Sequence, residues 1–146
     1  MPKNPPEDMP RITPYLFYAD PESAINWLTR VFGLEKRFEM PGPDGEITHA
    51  EMQMKDGVVM LGPVNRDAGH ISPEDLPGVH QSLYVYVDDV QAHYERAKAE
   101  GAPNITEPME MFWGDVMYTA EDLEGHRWSF AQHVKDIPPE EMKPDF

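Results

Sequence analysis

The stretch TPYLFYAD (residues 13–20) is matched 69 positions later (82 minus 13) by SLYVYVDD (residues 82–89). Both stretches are rich in β-branched or aromatic residues, which is typical of a strand, and both end in an aspartate that can cap a helix. At this offset Tyr15 coincides with Tyr84, and Phe17 coincides with Tyr86. We interpret these coincidences as an internal duplication in which each copy begins with a strand that leads into a helix.

The sequence that follows each stretch repeats one order of elements. Apolar residues at helical spacing follow Asp20, and a second helix is predicted to begin at Asp88 or Asp89; Gly33 and Gly101 are predicted to end the two helices. Strand patterns separated by turns then occur at 34–40, 48–54 and 58–61, and again at 105–112, 116–121 and 127–132. The chain is therefore predicted to be α+β, with the order βαβββ occurring twice.

The boundaries of the modules follow from the turn residues and the prolines. We predict a single domain over 11–136, made of modules 11–62 and 80–133 with a connector at 63–79. Residues 1–10 are rich in proline and are predicted to be a flexible tail, and 137–146 are predicted to be a C-terminal tail.

The charge of the chain excludes some classes of partner. Twelve basic residues stand against 27 acidic ones, for a net charge of −15, which disfavours binding to nucleic acid. No apolar run is long enough to span a membrane and no secretory signal precedes the first module, so no membrane partner and a cytoplasmic location are expected. The negative charge could attract a cationic ligand, or it could serve only to keep the protein soluble.

Several short motifs resemble one known family. They are FWGD (112–115), DLEGHRWS (122–129), QHVKD (132–136) and PEEM (139–142), with YAD (18–20), VFG (31–33) and HAEM (49–52) in the first module. Together they resemble the vicinal oxygen chelate superfamily of glyoxalases, bleomycin-resistance proteins and dioxygenases, in its glyoxalase-like branch. The resemblance implies the glyoxalase/bleomycin-resistance/dioxygenase fold, in which two βαβββ modules form half-barrels around a cleft.

Metal-dependent relatives place ligands on the first and fourth strands of each module. The corresponding residues here are Thr13, Met60, Ser82 and Ser129, and none of them is a histidine or a carboxylate. Three hydroxyls and a thioether are a poor donor set for zinc, nickel or iron. We therefore expect these four side chains to converge at the floor of the cleft without a metal, and we expect no cofactor.

Strand alternation places aromatic residues toward the same cleft. Leu83, Val85 and Val87 are uniformly aliphatic and should pack on the helix, which leaves the alternate residues for a ligand. The predicted ligand-binding residues are Thr13, Tyr15, Phe17, Met60, Ser82, Tyr84, Tyr86, Phe112, Trp113, Thr119, Glu121 and Ser129. The aromatic members could bind a flat or cationic molecule, or they could simply fill the core of the barrel. Tyr118, Trp128 and Phe130 are assigned to the core by the same alternation.

Two functions remain open at this point. The first is a metal-free small-molecule-binding protein of the drug-sequestering type, for an aromatic or cationic ligand. The alternative is a glyoxalase-like lyase or isomerase, or a dioxygenase-type enzyme, acting on a small carbonyl or aromatic substrate. His49 and Glu51 lie two apart on one strand and could act as an acid–base pair, but they could face either the cleft or the solvent. A homodimer is expected because the family pairs its modules and because open sheets leave strand edges to be covered.

Overall fold

The computed structural model describes residues 1–144 and divides the chain into two units, the first ending at Leu76 and the second beginning at Pro77. The boundary lies within the segment 63–79. The first unit contains β1 (Tyr15–Tyr18), α1 (Pro21–Trp27), β2 (Glu35–Pro41), β3 (Ile47–Met54) and β4 (Gly57–Pro63). The second contains β5 (Ser82–Tyr86), α2 (Val90–Ala99), β6 (Met109–Glu110), β7 (Asp115–Glu121) and β8 (Arg127–His133).

The first unit is a four-stranded sheet with the strand order β1-β4-β3-β2, in which β1 and β4 are parallel. Asp20 caps α1 by accepting a hydrogen bond from the amide of Ser23, and Pro21 occupies the first helical position, where no amide hydrogen is needed. A π-helical turn, Leu28–Phe32, continues from α1 and ends at Gly33, whose φ of 74° suits glycine.

The second unit repeats this sheet with the order β5-β8-β7-β6. Asp89, rather than Asp88, caps α2 by accepting a hydrogen bond from the amide of Ala92. The strand predicted at 105–112 is much shorter than expected, since regular strand pairing with β7 is confined to Met109–Glu110. Pro108 precedes this pair and has no amide hydrogen to donate to a ladder, which accounts for the shortening.

The duplication predicted from the offset of 69 extends to the register of the sheets. Tyr15 lies opposite Met60 in the first unit, and the residues 69 positions later, Tyr84 and Ser129, lie opposite each other in the second. The prediction of an α+β fold of two βαβββ modules is confirmed, and within residues 1–144 neither sheet closes into a barrel.

Each helix covers one face of its own sheet. Tyr118, Trp128 and Phe130 are at most 1% exposed on the covered face of the second sheet, so their assignment to the core is confirmed. The core of the first unit is likewise built from large apolar side chains that are fully buried, including Tyr18, Leu28, Phe32, Met52 and Leu61. Within residues 1–144, no helix of a unit packs on the opposite face of its own sheet, and we call that face the open face of the unit.

The two predicted tails have some structure where the chain is described. In the first, Lys3 forms an ion pair of 2.9 Å with Glu7, and the backbone oxygen of Asp8 accepts a hydrogen bond from Arg37. In the second, Pro139–Glu141 form a short 3-10 turn, and the last two residues of the predicted tail 137–146 lie outside the described residues. No helix within residues 1–144 has the length and apolar character of a membrane span.

Candidate functional site

The open face of the second unit has small side chains along its central strand and larger ones on both sides. Ser129 and Ala131 lie on β8, and the register places Tyr84 opposite Ser129 and Tyr86 opposite Ala131 on one side. On the other side, Thr119 and Met117 lie opposite the same two residues. Because paired residues project from the same face of a sheet, we infer a groove with an aromatic wall and a floor of small side chains, in which Ala131 is itself fully buried. The residues Ser129, Ala131, Tyr84, Tyr86, Thr119 and Met117 define this groove, which we call the β8 groove.

Four of the residues predicted to bind a ligand lie together at one end of the β8 groove. Ser82, Thr119, Glu121 and Ser129 all line a depression of about 470 Å³. Glu121 is only partly exposed and lies 3.6 Å from the guanidinium of Arg127, so its charge is partly balanced. This end of the groove is therefore polar, with three hydroxyls beside an ion pair.

The other end of the groove is organised around a buried carboxylate, Asp115, which is 1% exposed. Its Oδ2 accepts hydrogen bonds from the hydroxyls of Tyr84 at 2.7 Å and Tyr86 at 2.9 Å, and from the indole nitrogen of Trp113 at 3.1 Å. Its Oδ1 pairs with Nδ1 of His133 at 2.8 Å. Burial alone would raise the pKa of Asp115, but the hydrogen bonds from these four side chains outweigh it and lower the pKa.

The tyrosines of this cluster keep their protons. Burial and its hydrogen bond to Asp115 raise the pKa of Tyr84 to about 12. The hydrogen bond that Tyr86 itself donates to Asp115 raises the pKa of Tyr86. Both hydroxyl hydrogens are directed at Asp115. The oxygen of Tyr84 also accepts a hydrogen bond from the indole nitrogen of Trp113 at 3.1 Å, whereas the oxygen of Tyr86 retains its acceptor capacity for a ligand. Their rings lie edge to face at 5.6 Å and are 44% and 58% exposed for Tyr84 and Tyr86 respectively.

His133 bridges two carboxylates. Its Nδ1 lies 2.8 Å from Asp115 and its Nε2 lies 2.7 Å from Asp136. Since carboxylates only accept hydrogen bonds, both ring nitrogens must carry protons, and His133 is an imidazolium in this geometry. Its hydrogen bonds to Asp136 and Asp115 accordingly raise its pKa.

The position of Trp113 depends on the glycine that follows it. Gly114 has a φ of 100°, and a Cβ at this position would collide with the backbone oxygen of Lys135. The chain can therefore turn sharply between Trp113 and Asp115 only with glycine at this position. Phe112 packs edge to face against Trp113 at 4.9 Å, which adds a second ring to the same segment.

The open face of the first unit is also aromatic. Tyr15 and Phe17 stack at 5.2 Å, and Phe17 stacks on His70 at 4.0 Å. Tyr15 lies across Gly62, since a Cβ on Gly62 would come within 2.8 Å of the Tyr15 ring. Thr13 lies just before β1 and is half-buried, whereas Met60 lies on β4 opposite Tyr15.

The sequence left the face of His49 and Glu51 open, and the structure places both on the open face of the first unit. Ala50 and Met52 alternate with them and are fully buried on the helix side. Nδ1 of His49 lies 2.9 Å from the hydroxyl of Tyr15, and Nε2 of His49 lies 3.2 Å from Glu51. The pair is therefore part of a longer hydrogen-bonded chain rather than two solvated side chains.

The first unit also contains a member of this hydrogen-bonded chain, Arg37, that the sequence did not suggest. The register of β2 shifts between Lys36 and Phe38, and Arg37 occupies this bulge. Its Nε donates to Glu51 at 3.1 Å, and its Nη1 reaches Gln53 at 3.4 Å. Nothing in the sequence pattern marks this bulge in advance.

The residues at the ligand positions of metal-dependent relatives do not fit a metal. Thr13, Met60, Ser82 and Ser129 offer hydroxyl and thioether groups, which are weak ligands for the divalent ions such sites hold. In the part of the chain that the structure describes, no group of three or more histidine, aspartate or glutamate side chains is placed to hold a metal ion.

Asp115 and His133 are the other residues that sequence reasoning missed. Both belong to motifs that carry the family resemblance, FWGD and QHVKD, but neither was assigned to the site. A usable signal was present, because an aspartate at the start of an otherwise apolar strand needs a buried partner. Three of its four partners come from two other strands, β5 and β8, and only the fold brings them to Asp115.

These features define a protein of two βαβββ modules whose uncovered sheet faces carry aromatic and polar side chains. The model of the Glyoxalase/Bleomycin resistance protein/Dioxygenase superfamily matches residues 9–130. The chain belongs to this superfamily.

Comparison with individual proteins agrees with this membership. An uncharacterized protein of Mycobacterium bovis is 31% identical over 137 residues, which cover 92% of this chain and 90% of that protein. The crystal structure of TioX from Micromonospora sp. ML1 is 34% identical, with a TM-score of 0.67 over 86% of this chain and 99% of that chain. A bleomycin-binding protein complexed with bleomycin shares the fold, with 19% identity and a TM-score of 0.61 over 85% of this chain and 98% of that chain.

Proposed function

We propose that this protein binds a small aromatic or cationic molecule without a metal or cofactor, in the manner of a drug-sequestering protein. The observation that carries this proposal is the β8 groove, which has an aromatic wall and a floor of small side chains. The solved bleomycin-binding protein of the same fold supports the ligand class.

The groove is suited to a flat ring because its wall is held in place before a ligand arrives. Asp115 fixes Tyr84, Tyr86 and Trp113 through three hydrogen bonds to one oxygen. Fixed side chains lose little conformational freedom on binding, so more of the contact energy contributes to affinity. Stacking and cation–π contacts with such rings contribute roughly 0.5–2 kcal/mol each.

Charge favours a cation over an anion at these faces. The net charge of −15 raises the local concentration of cations around the molecule as a whole. The buried negative charge of Asp115 also polarises the tyrosine hydroxyls that donate to it, so their oxygens become better acceptors. The net charge of −15 also disfavours nucleic acid as a partner.

A homodimer is part of this proposal. Large apolar side chains remain exposed on both open faces, among them Tyr15, Phe38, Met40, Tyr84 and Tyr86. A second copy could cover part of these surfaces and the free edges of the sheets. Sedimentation at micromolar concentration should give twice the chain mass, and a monomer there would contradict the dimer.

The direct test of function is titration with a planar aromatic cation such as ethidium, followed by fluorescence and thermal unfolding. A ligand at a hundredfold excess over its Kd should stabilise the protein by about 2.7 kcal/mol. Ser129→Phe fills the floor of the β8 groove and should abolish binding. Ala92→Phe adds the same ring on the exposed surface of α2 and is the matched control. Unchanged binding by Ser129→Phe would contradict a site in the groove.

The enzymatic alternative is supported by one observation, the chain that links Tyr15, His49 and Glu51. Such a chain can orient an imidazole for acid–base work on a small carbonyl or aromatic substrate. Dialysis against zinc, nickel or iron followed by elemental analysis tests whether such an enzyme would depend on a metal. One tightly held ion per chain would favour an enzyme, whereas the donor chemistry of Thr13, Met60, Ser82 and Ser129 leads us to expect none.

A further inference from the structure

The open face of the first unit carries a hydrogen-bonded chain whose direction is fixed by its chemistry. Nε2 of His49 lies 3.2 Å from Oε2 of Glu51. An ionised carboxylate only accepts hydrogen bonds, so this nitrogen carries a proton. Arg37 donates to the other oxygen of Glu51 at 3.1 Å, which holds the carboxylate in place.

The tautomer of His49 determines the role of Tyr15. With its proton on Nε2, neutral His49 presents Nδ1 as an acceptor, and the Tyr15 hydroxyl lies 2.9 Å from that nitrogen. The hydroxyl hydrogen of Tyr15 is therefore directed toward His49. Burial and the charge of Glu51 raise the pKa of Tyr15, so the hydroxyl keeps its proton. The phenolic oxygen is left with only acceptor capacity for a ligand.

The surroundings of Tyr15 make this oxygen usable by a ligand. Tyr15 is 37% exposed, and Phe17 stacks beside it at 5.2 Å to give an adjoining aromatic surface. The charge of Glu51 is balanced by Arg37 in an ion pair of 3.1 Å. Discrimination between ligands at the Tyr15 hydroxyl therefore depends on hydrogen bonding rather than on net charge.

We propose that Tyr15 makes this face selective for aromatic compounds that donate a hydrogen bond, such as ring-bearing ammonium groups with an N–H. This inference rests on the proposed binding function, extends it to the open face of the first unit, and names the ligand class that this face takes. Tyr15 is the residue that contacts the ligand, and His49 is a positioning residue that acts through it.

Two probes separate hydrogen-bond donation from charge, and comparison of the wild type with Tyr15→Phe cancels the difference in size between them. Benzylammonium and benzyltrimethylammonium carry the same ring and the same charge, but only benzylammonium has N–H donors. Binding of each is measured by NMR chemical-shift titration of the wild-type protein and of Tyr15→Phe, which keeps the ring and removes the hydroxyl. The preference is the affinity for benzylammonium divided by that for benzyltrimethylammonium. It should be about three- to tenfold larger in the wild type than in Tyr15→Phe, as expected for one hydrogen bond at a partly exposed site.

A second variant tests the role of His49. His49→Leu keeps the Tyr15 hydroxyl but removes its acceptor, so the hydroxyl can turn and donate. The preference for benzylammonium should then fall toward that of Tyr15→Phe. The exposed His80 gives a matched control, and His80→Leu should leave the preference unchanged.

The outcomes distinguish this inference from the binding function itself. If both probes bind but the preference is the same in the wild type and Tyr15→Phe, selection by Tyr15 is wrong and the binding function stands. If neither probe binds the wild type, the inference is wrong, and the ethidium titration decides the binding function separately. A smaller preference in both Tyr15→Phe and His49→Leu supports the inference.

Discussion

The hydroxyl of Tyr84 donates a 2.7 Å hydrogen bond to Oδ2 of Asp115, 31 residues further along the chain. This bond joins the edge strand β5 to the start of β7 across the intervening β8. The buried carboxylate of Asp115 thereby holds the partly exposed ring of Tyr84 in place. The same carboxylate oxygen also holds Tyr86 and Trp113, so one side chain positions three aromatic residues on the open face.

Asp115→Asn should release these rings and destabilise the fold. A neutral amide loses the charge-assisted bonds and places its NH₂ group near donors, so the expected cost is about 1–3 kcal/mol in the free energy of unfolding. Urea unfolding measures this cost. Asp136→Asn removes an exposed carboxylate that also pairs with His133 and should cost less than about 0.5 kcal/mol. Equal effects of the two variants would contradict the central role of Asp115.

The bridge through His133 should depend on pH. Hydrogen bonds to Asp136 and Asp115 raise the pKa of His133 above its usual value, so the protonated form is favoured in the folded state. The stabilisation is fully present below the ordinary pKa of about 6.5 and is lost as the pH rises through the raised pKa.

NMR titration of the His133 ring measures this pKa directly. The indole N–H of Trp113, which shares Asp115 as its acceptor, should shift with the same midpoint. Asp136→Asn should lower that midpoint because the larger of the two stabilising hydrogen bonds is weakened. A midpoint at or below about 6.5 in the wild type would contradict the bridge.

Truncation of the aromatic wall should weaken ligand binding. Trp113→Ala or Tyr84→Ala should each reduce the affinity for ethidium by roughly 1–3 kcal/mol, the usual cost of losing an aromatic anchor. Isothermal titration measures the change. Met109→Ala removes another exposed apolar side chain, on β6 beyond Met117, and should change the affinity little. Loss of affinity only in Met109→Ala would place the ligand elsewhere.

Much of the fold could be predicted because the decisive signals are local. The aspartate caps, the helix-ending Gly33 and the strand alternation each depend on a few neighbouring residues. The offset of 69, predicted from the sequence, also relates the registers of the two sheets, since Tyr15 and Tyr84 have equivalent partners on β4 and β8.

The polar clusters could not be predicted in the same way. Asp115 and Arg37 act through partners that are distant in sequence, and Arg37 also depends on a bulge. The side of β3 on which His49 lies became clear only from the burial of Ala50. Strand alternation gives two faces but does not say which one a helix will cover.

Gly62→Ala should displace the ring of Tyr15 without changing any group that bonds to it. The added Cβ would lie 2.8 Å from the Tyr15 ring and hydroxyl, closer than such contacts occur. The ring must therefore move, and the 2.9 Å hydrogen bond to His49 should lengthen or break. We expect the preference for benzylammonium over benzyltrimethylammonium to fall, with only a small loss of stability, because the displaced atoms belong to the far end of a partly exposed side chain.

Gly78→Ala provides the control for this substitution. A Cβ on Gly78 meets no atom within 4 Å, and its φ lies outside the left-handed region, so alanine should fit there without strain. The NMR signal of the Tyr15 ring should shift in Gly62→Ala and stay in place in Gly78→Ala. If Gly62→Ala keeps both the wild-type ring signal and the wild-type preference, the close packing of Tyr15 on Gly62 does not set the position of the hydroxyl. If the ring signal shifts and the preference falls together, the position of that hydroxyl is what selects the ligand.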